Sequence, residues 1–162
     1  NIVYRKYVKI MKEKIKKLLL AQKGKFIAYW TIPVWFVVLY ETGVCNKGIH
    51  AGNIQLEYIL QSVGILLTIG LIPFALRIFN LNLVKRIREY PLERALASYN
   101  LWSDVRLCLL AVPAILNLSF YYLTMNTTGL FCGAMAMLAS LFCVPSENRI
   151  KNELDLPEEI NE

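Results

Sequence analysis

One histidine, four cysteines and twelve carboxylates are the residues from which this chain of 162 could build a reactive centre. Cys45, Cys108, Cys132 and Cys143 contain no CxxC pair, and with a single histidine in the chain no metal site is expected. His50 stands alone between two apolar stretches and reads as solvated. There is no Gly-rich phosphate loop and no GxSxG, and no paired-carboxylate arrangement is read as an acid–base site. The expectation is no catalytic residue, no cofactor and no metal. Cys108 and Cys143 read as small hydrophobes, while Cys45 and Cys132 fall toward one face, where a disulfide is geometrically open.

The more informative polar residues sit in or beside apolar runs. Asn117 lies deep in one such run, four residues after Pro113, whose missing N–H frees a backbone carbonyl. A buried amide there is expected to bond to a neighbouring helix, with Gln61, Ser62 and Thr68 as partners. Gly129 and Gly133 form a GxxxG that Ala136 and Ser140 extend, a stripe permitting close backbone approach. Asp104 and Arg106 precede one apolar run, and Glu147 and Arg149 follow the next. If those runs form a hairpin, their ends lie side by side, and an ion pair Asp104–Arg149 or Arg106–Glu147 is predicted at its mouth. Pro145 then ends a helix and Ser146 caps a new one.

The elements that must hold these groups follow from composition. The chain is 56% hydrophobic and 19% charged, with mean hydropathy +0.43; soluble domains have about 45–50% and about 25%. Four apolar stretches stand out at 26–40, 58–76, 107–125 and 129–145. A hydrocarbon layer of about 30 Å needs roughly 17–25 helical residues, so the spans are drawn at about 24–43, 58–76, 107–125 and 129–145. Prolines 33, 73 and 113 fall inside three of them. The predicted fold is an all-α integral membrane protein, a four-helix transmembrane bundle forming one domain over 1–162 with amphipathic cytoplasmic helices. Residues 1–23 form a basic interfacial arm, 77–106 a cytoplasmic helical loop broken at Pro91, and 146–162 a cytoplasmic tail. Leu83, Val84, Ile87, Leu92, Leu96 and Tyr99 supply the apolar face of that loop.

Charge sets the orientation. Of the eighteen lysines and arginines only Lys47 lies on one side, and the rest fall on the other. The positive-inside bias therefore places both termini in the cytoplasm. It also accounts for the net charge of +6 without nucleic acid. Met11 opens MKEKIKKLLL, which reads like a natural start, so residues 1–10 read as upstream or vector-derived sequence. No small-residue cleavage site follows the first span, so that span reads as a retained anchor.

From SDVRLCLLAVPAILNLSFYYLTMN to FCVPSENRIKNELDL, the last third of the chain resembles a group of uncharacterised small four-span bacterial membrane proteins. Arg106, Asn117, Leu123, Thr124, Asn126, Pro145, Ser146 and Arg149 occupy the shared places, with Leu154, Asp155 and Leu156 in the tail. Ala111 and Val112 stand where that group often has Glu and Gly, which removes an intramembrane acid. The resemblance implies a bacterial inner membrane and the four-span topology, and it carries no activity.

Three function classes follow. The leading expectation is a non-enzymatic accessory or scaffold protein acting through its cytoplasmic surface. It would touch anionic lipid headgroups through Lys and Arg, and a homodimer or membrane-protein partner. The second is a homo-oligomeric channel or transporter lined by Asn117, Gln61 and Thr68. No ionisable residue sits centrally in any span, which argues against a transporter built on a buried acid. The third is a lipid-modifying enzyme, needing Asp104, Arg106, Glu93 or Ser146 to act together.

Overall fold

The computed structural model describes residues 2–77 and 89–154. Among them the chain is all-helical: α1 (Ile2–Glu41), α2 (Ile54–Arg77), α3 (Leu92–Thr124), α4 (Thr127–Leu141) and α5 (Glu147–Glu153). Leu83, Val84 and Ile87 of the expected 77–106 loop, and Asp155 and Leu156 of the tail, lie outside the described residues.

Helix length separates the four expected spans. At 1.5 Å per residue, the 24 residues of α2 reach about 36 Å and the 33 of α3 about 50 Å. These two helices are long and apolar enough to cross a membrane. The expected fourth span, 129–145, is shorter as a helix. α4 has 15 residues, about 22 Å, and closes in short-range turns where Cys143 N–H donates to Ser140 O and Val144 N–H to Leu141 O. Pro145 cannot donate the next bond, so the helix cannot continue. The apolar 26–40 segment is not a separate element, because the basic arm runs into it without a break. The resulting α1 has 40 residues and is about 60 Å long. Similarly, Pro91 is the N-cap of α3, which then runs unbroken through Pro113 to Thr124.

α3 is the central helix, packed against α1, α2 and α4. Its partners offer narrow inner stripes: Gly64, Thr68 and Ala75 on α2, and Gly129, Cys132, Gly133, Ala136, Ala139 and Ser140 on α4. Small residues thus line the inside while large apolar ones face out, among them Leu66, Ile69, Phe131, Leu138 and Phe142. Only 17% of the apolar stretch of α2 is buried. A soluble core helix would bury that surface, since water contact costs about 25 cal/mol per Å² of apolar area.

Two apolar cores stack along the helices. One joins Tyr29, Ala75, Leu110, Ala139 and Cys143 inside the bundle. The other lies at the basic end, where Met11, Ile15 and Leu19 of α1 meet Ala95, Leu96 and Tyr99 of α3 and Ile150 and Leu154 around α5. The 3.6-residue period of Met11, Ile15, Leu19, Gln22 and Tyr29 keeps one face of α1 on α3 across both cores. At the opposite end Tyr40 stacks on Tyr122 with centroids 4.3 Å apart. There the loop backbone also ties to α3, with Gly48 N–H donating to Tyr122 O and His50 N–H to Leu123 O.

Candidate functional site

Two polar groups of side chains interrupt this apolar interior. The first is a seam between α2, α3 and α4. Asn117, 1% exposed, donates its amide to Thr68 Oγ1 at 3.0 Å, Pro113 O at 2.8 Å and Gly64 O at 3.3 Å. Thr68 in turn donates to Gly64 O at 2.8 Å. Gln61 reaches Thr128 Oγ1 at 2.8 Å rather than Asn117, and Asn126 donates to Glu57. Asn126 also caps α4, accepting from Thr128 N–H at 2.9 Å.

Glycine makes the seam possible. A Cβ on Gly64 would lie 2.2 Å from Asn117 Oδ1. One on Gly129 would lie 2.7 Å from Asn117 O and 2.9 Å from Tyr121 N, so α3 and α4 touch backbone to backbone. Gly133 is looser, its nearest neighbour being Ala114 O at 3.5 Å. The cavity left in the seam, about 10 Å³, has room for at most one water. Among the four cysteines all are free thiols, so Cys45 and Cys132 do not pair.

The second group lies at the basic end. The structure corrects the expected ion pairs here. Asp104 pairs with Lys25 at 2.7 Å, Arg149 with Glu153 at 2.9 Å, and Glu147 with Lys151 at 2.7 Å. The reason is the length of α1, which carries Lys25 alongside α3, and the i,i+4 spacing within α5, which satisfies both of its own partners locally. Lys25 also donates to Asn100 Oδ1 at 3.4 Å. Arg149 donates to Phe142 O as well, clasping the end of α4. Ser146 caps α5, accepting from Arg149 N–H at 3.2 Å. Farther along α1, Lys14 pairs with Glu93 at the start of α3.

Electrostatics follow from these partners. Lys14 holds Glu93, and Lys151 holds Glu147, below the usual carboxylate range through charge-assisted hydrogen bonds. Arg106 is 4% exposed, and burial lowers its affinity for its proton. Tyr99 is buried and donates to Glu153; burial first, then that hydrogen bond and charge, push its hydroxyl above the ordinary value. The sequence signal for this group was present but weak. Gln22 falls on the apolar stripe of α1, an unexpected place for an amide, and it is 7% exposed beside Arg106 and Ser103.

Among the described residues no cluster of His, Cys, Asp and Glu could hold a metal ion. Glu93 is engaged by Lys14, Asp104 by Lys25 and Ser146 by the α5 backbone, while Asp104 and Arg106 line the same small cavity. Comparison with known proteins returned no matching protein family, no matching curated protein and no matching solved structure.

Proposed function

We propose that this chain is a multi-pass membrane protein of the bacterial inner membrane that serves as a non-enzymatic scaffold through a helical platform on its cytoplasmic side. In this reading α2 and α3 span the bilayer. The apolar part of α1 and the shorter α4 complete a four-helix bundle, and both termini face the cytoplasm. The arrangement of large apolar residues outside and small or polar ones inside supports the membrane setting. The bias of Lys and Arg to one end supports the orientation.

The single observation that carries the scaffold reading is the second apolar core at the basic end. Ile15 and Ile150 are fully buried there, outside the apolar stretches. A bundle that only crossed the bilayer would have no need of it; the core holds α1, α3 and α5 as a rigid surface. The helices of that core expose Leu20 on α1, between Lys17 and Lys23, and Leu101 on α3, each 61% accessible. Exposed apolar side chains rimmed by charge are a common mark of a partner surface. The channel alternative draws no comparable support, because the Asn117 seam is closed by its own hydrogen bonds and leaves only about 10 Å³.

The test is photo-crosslinking in intact membranes from positions 20 and 101, with position 131 on α4 as the lipid-facing control. The reading expects discrete protein adducts from the first two, lost with Ile15→Asp. Adducts only to lipid from all three positions, together with ion flux in liposomes that requires Asn117, would contradict it.

A further inference from the structure

Two ion pairs tie α1 to α3 along one side, Lys14 with Glu93 and Lys25 with Asp104, and both join residues 79 apart in sequence. The equal offset means that the two helices run parallel here, in one register. From residue 14 to residue 25 a helix rises about 16 Å at 1.5 Å per residue. Between the bridges lies a groove of about 390 Å³. Lys14 and Glu93 line one end of it, and Asn100, which accepts from Lys25 at 3.4 Å, lines the other. The floor is apolar, made by Leu18 and Ala21 of α1 and Leu96 and Ala97 of α3. Both alanines are exposed, and their methyl groups are too short to close the gap between the helices. Leu101, one turn beyond Ala97, carries the apolar surface out of the groove.

Charge and position decide what fills this groove. Residues 11–25 carry six lysines against one carboxylate, Glu13. Lys14 and Lys25 are engaged across the groove by Glu93 and Asp104. Lys17 also lines it, is exposed, and enters no ion pair among the described residues. The α1 lip therefore keeps a surplus of positive charge, even with Glu13 one turn before Lys17. A bilayer lipid is a poor occupant, because the Lys25–Asp104 bridge with Asn100 closes the end nearest the apolar stretch that begins at Phe26. A second copy fits no better. Two copies inserted in the same direction meet about an axis normal to the membrane, which sets Lys17 of one against Lys17 of the other. Like charges so placed oppose association.

We propose that this groove docks an acidic amphipathic helix of a partner protein, with apolar residues on the Leu18, Ala21, Leu96 and Ala97 floor and a carboxylate on Lys17. Helix-in-groove recognition uses apolar anchors at i, i+3 or i+4, and i+7, and about three turns of helix span the distance between the two bridges. The inference rests on the scaffold reading above and narrows it, from an exposed platform to one groove and one class of partner. The two bridges hold α1 and α3 at a fixed spacing, so the groove is formed before the partner arrives. Charge across an interface governs partner choice and encounter rate more than affinity. Lys17 therefore selects the partner, and the apolar floor retains it.

Selection from a displayed library of helical peptides tests this. Each peptide has about three turns, with leucine at i, i+4 and i+7 and every other position randomised. The target is the full chain in phosphatidylcholine nanodiscs, which bring no anionic lipid to compete. The selected peptides should be rich in Asp and Glu, and Lys17→Glu should weaken the best of them roughly ten-fold or more. Selection on Lys17→Glu should return Lys and Arg instead. Ala97→Trp, at an exposed position on the floor, should abolish binding without lowering the melting temperature. No enrichment over empty nanodiscs, selected peptides without an acidic bias, or binding indifferent to Ala97→Trp would overturn the proposal. A dimer that Ala97→Trp dissociates would assign the groove to a second copy and overturn it too. So would binding that appears only after removal of residues 155–162, since that acidic stretch of the same chain would then be the occupant. If the peptides fail while positions 20 and 101 still form protein adducts, the groove is refuted and the scaffold reading stands; absence of those adducts defeats the scaffold reading and the proposal with it.

Discussion

Replacing Gly64 by alanine adds one methyl group at the tightest point of the seam. Its Cβ would come 2.2 Å from Asn117 Oδ1, 3.2 Å from Asn117 Cγ and 3.4 Å from Phe120 Cδ2. Such an overlap needs the amide to withdraw by more than an ångström. Asn117 cannot do so freely, because its nitrogen is held at 3.0 Å by Thr68 and 2.8 Å by Pro113 O. Overpacking costs about 1–3 kcal/mol, and losing one interhelical hydrogen bond inside a membrane bundle costs about 0.6 kcal/mol. Together these give a destabilisation of about 2–3 kcal/mol for Gly64→Ala. Reversible unfolding in mixed micelles, followed by circular dichroism, reads this directly. Gly70→Ala is the control on the same helix: nothing lies within 4 Å of its added Cβ, so it should be neutral or slightly stabilising. In a Gly64→Ala/Asn117→Ala double variant the clash disappears, and the two effects should be non-additive by more than about 1 kcal/mol. If Gly64→Ala and Gly70→Ala fall within about 0.5 kcal/mol of each other, a margin within which surface changes normally lie, the seam as described is wrong.

Other consequences are open to equally direct measurement. Gly129→Ala must push the α3 and α4 backbones apart, so it should destabilise markedly more than Gly133→Ala in the same unfolding assay. Ile15→Ala, at a side chain with 0% exposure, should cost about 2–4 kcal/mol if α1 docks on α3 and α5, and close to nothing if that stretch lies free. The Lys25–Asp104 pair is partly exposed, so a double-mutant cycle should return about 0–1 kcal/mol, and the swapped pair Lys25→Asp/Asp104→Lys should recover part of the loss. Tyr99 gives a pH signature. Its folded-state value is raised above the ordinary 10.0, so its contribution is complete below about pH 10 and is lost as pH rises toward the folded value. Melting temperature should therefore fall more steeply with alkaline pH in the parent chain than in Tyr99→Phe; parallel curves would show that Tyr99 is not buried against Glu153.

Much of the all-helical architecture could be read from apolar run length and helical period, because those patterns report burial against lipid or protein directly. Asn117 was legible for a similar reason: an amide in a long apolar run must find a partner, and Thr68 is one helical neighbour able to supply it. Helix ends were harder. The arm and the first span were expected to divide near residue 23, yet lysine is a good helix former and α1 runs unbroken through Gly24 and Lys25. The ion pairs at the basic end were not legible either. They depend on how far α1 extends beside α3 and on local i,i+4 pairing in α5, and an argument from hairpin ends alone includes neither. Ser103 was silent and Gln22 gave only the weak signal of an amide on an apolar stripe, since only three-dimensional packing reveals that their buried donors have no partner.

Site-directed thiol labelling tests the central claim most directly. Single cysteines introduced at Asn46 and Asn148 of a cysteine-free chain, both exposed positions at opposite ends of the bundle, are treated with a membrane-impermeant maleimide in intact spheroplasts and again after permeabilisation. The account predicts that position 46 reacts in intact spheroplasts and position 148 only once the membrane is opened. Reaction at position 148 in intact spheroplasts, with position 46 protected, would contradict it by putting the basic platform on the wrong side of the membrane.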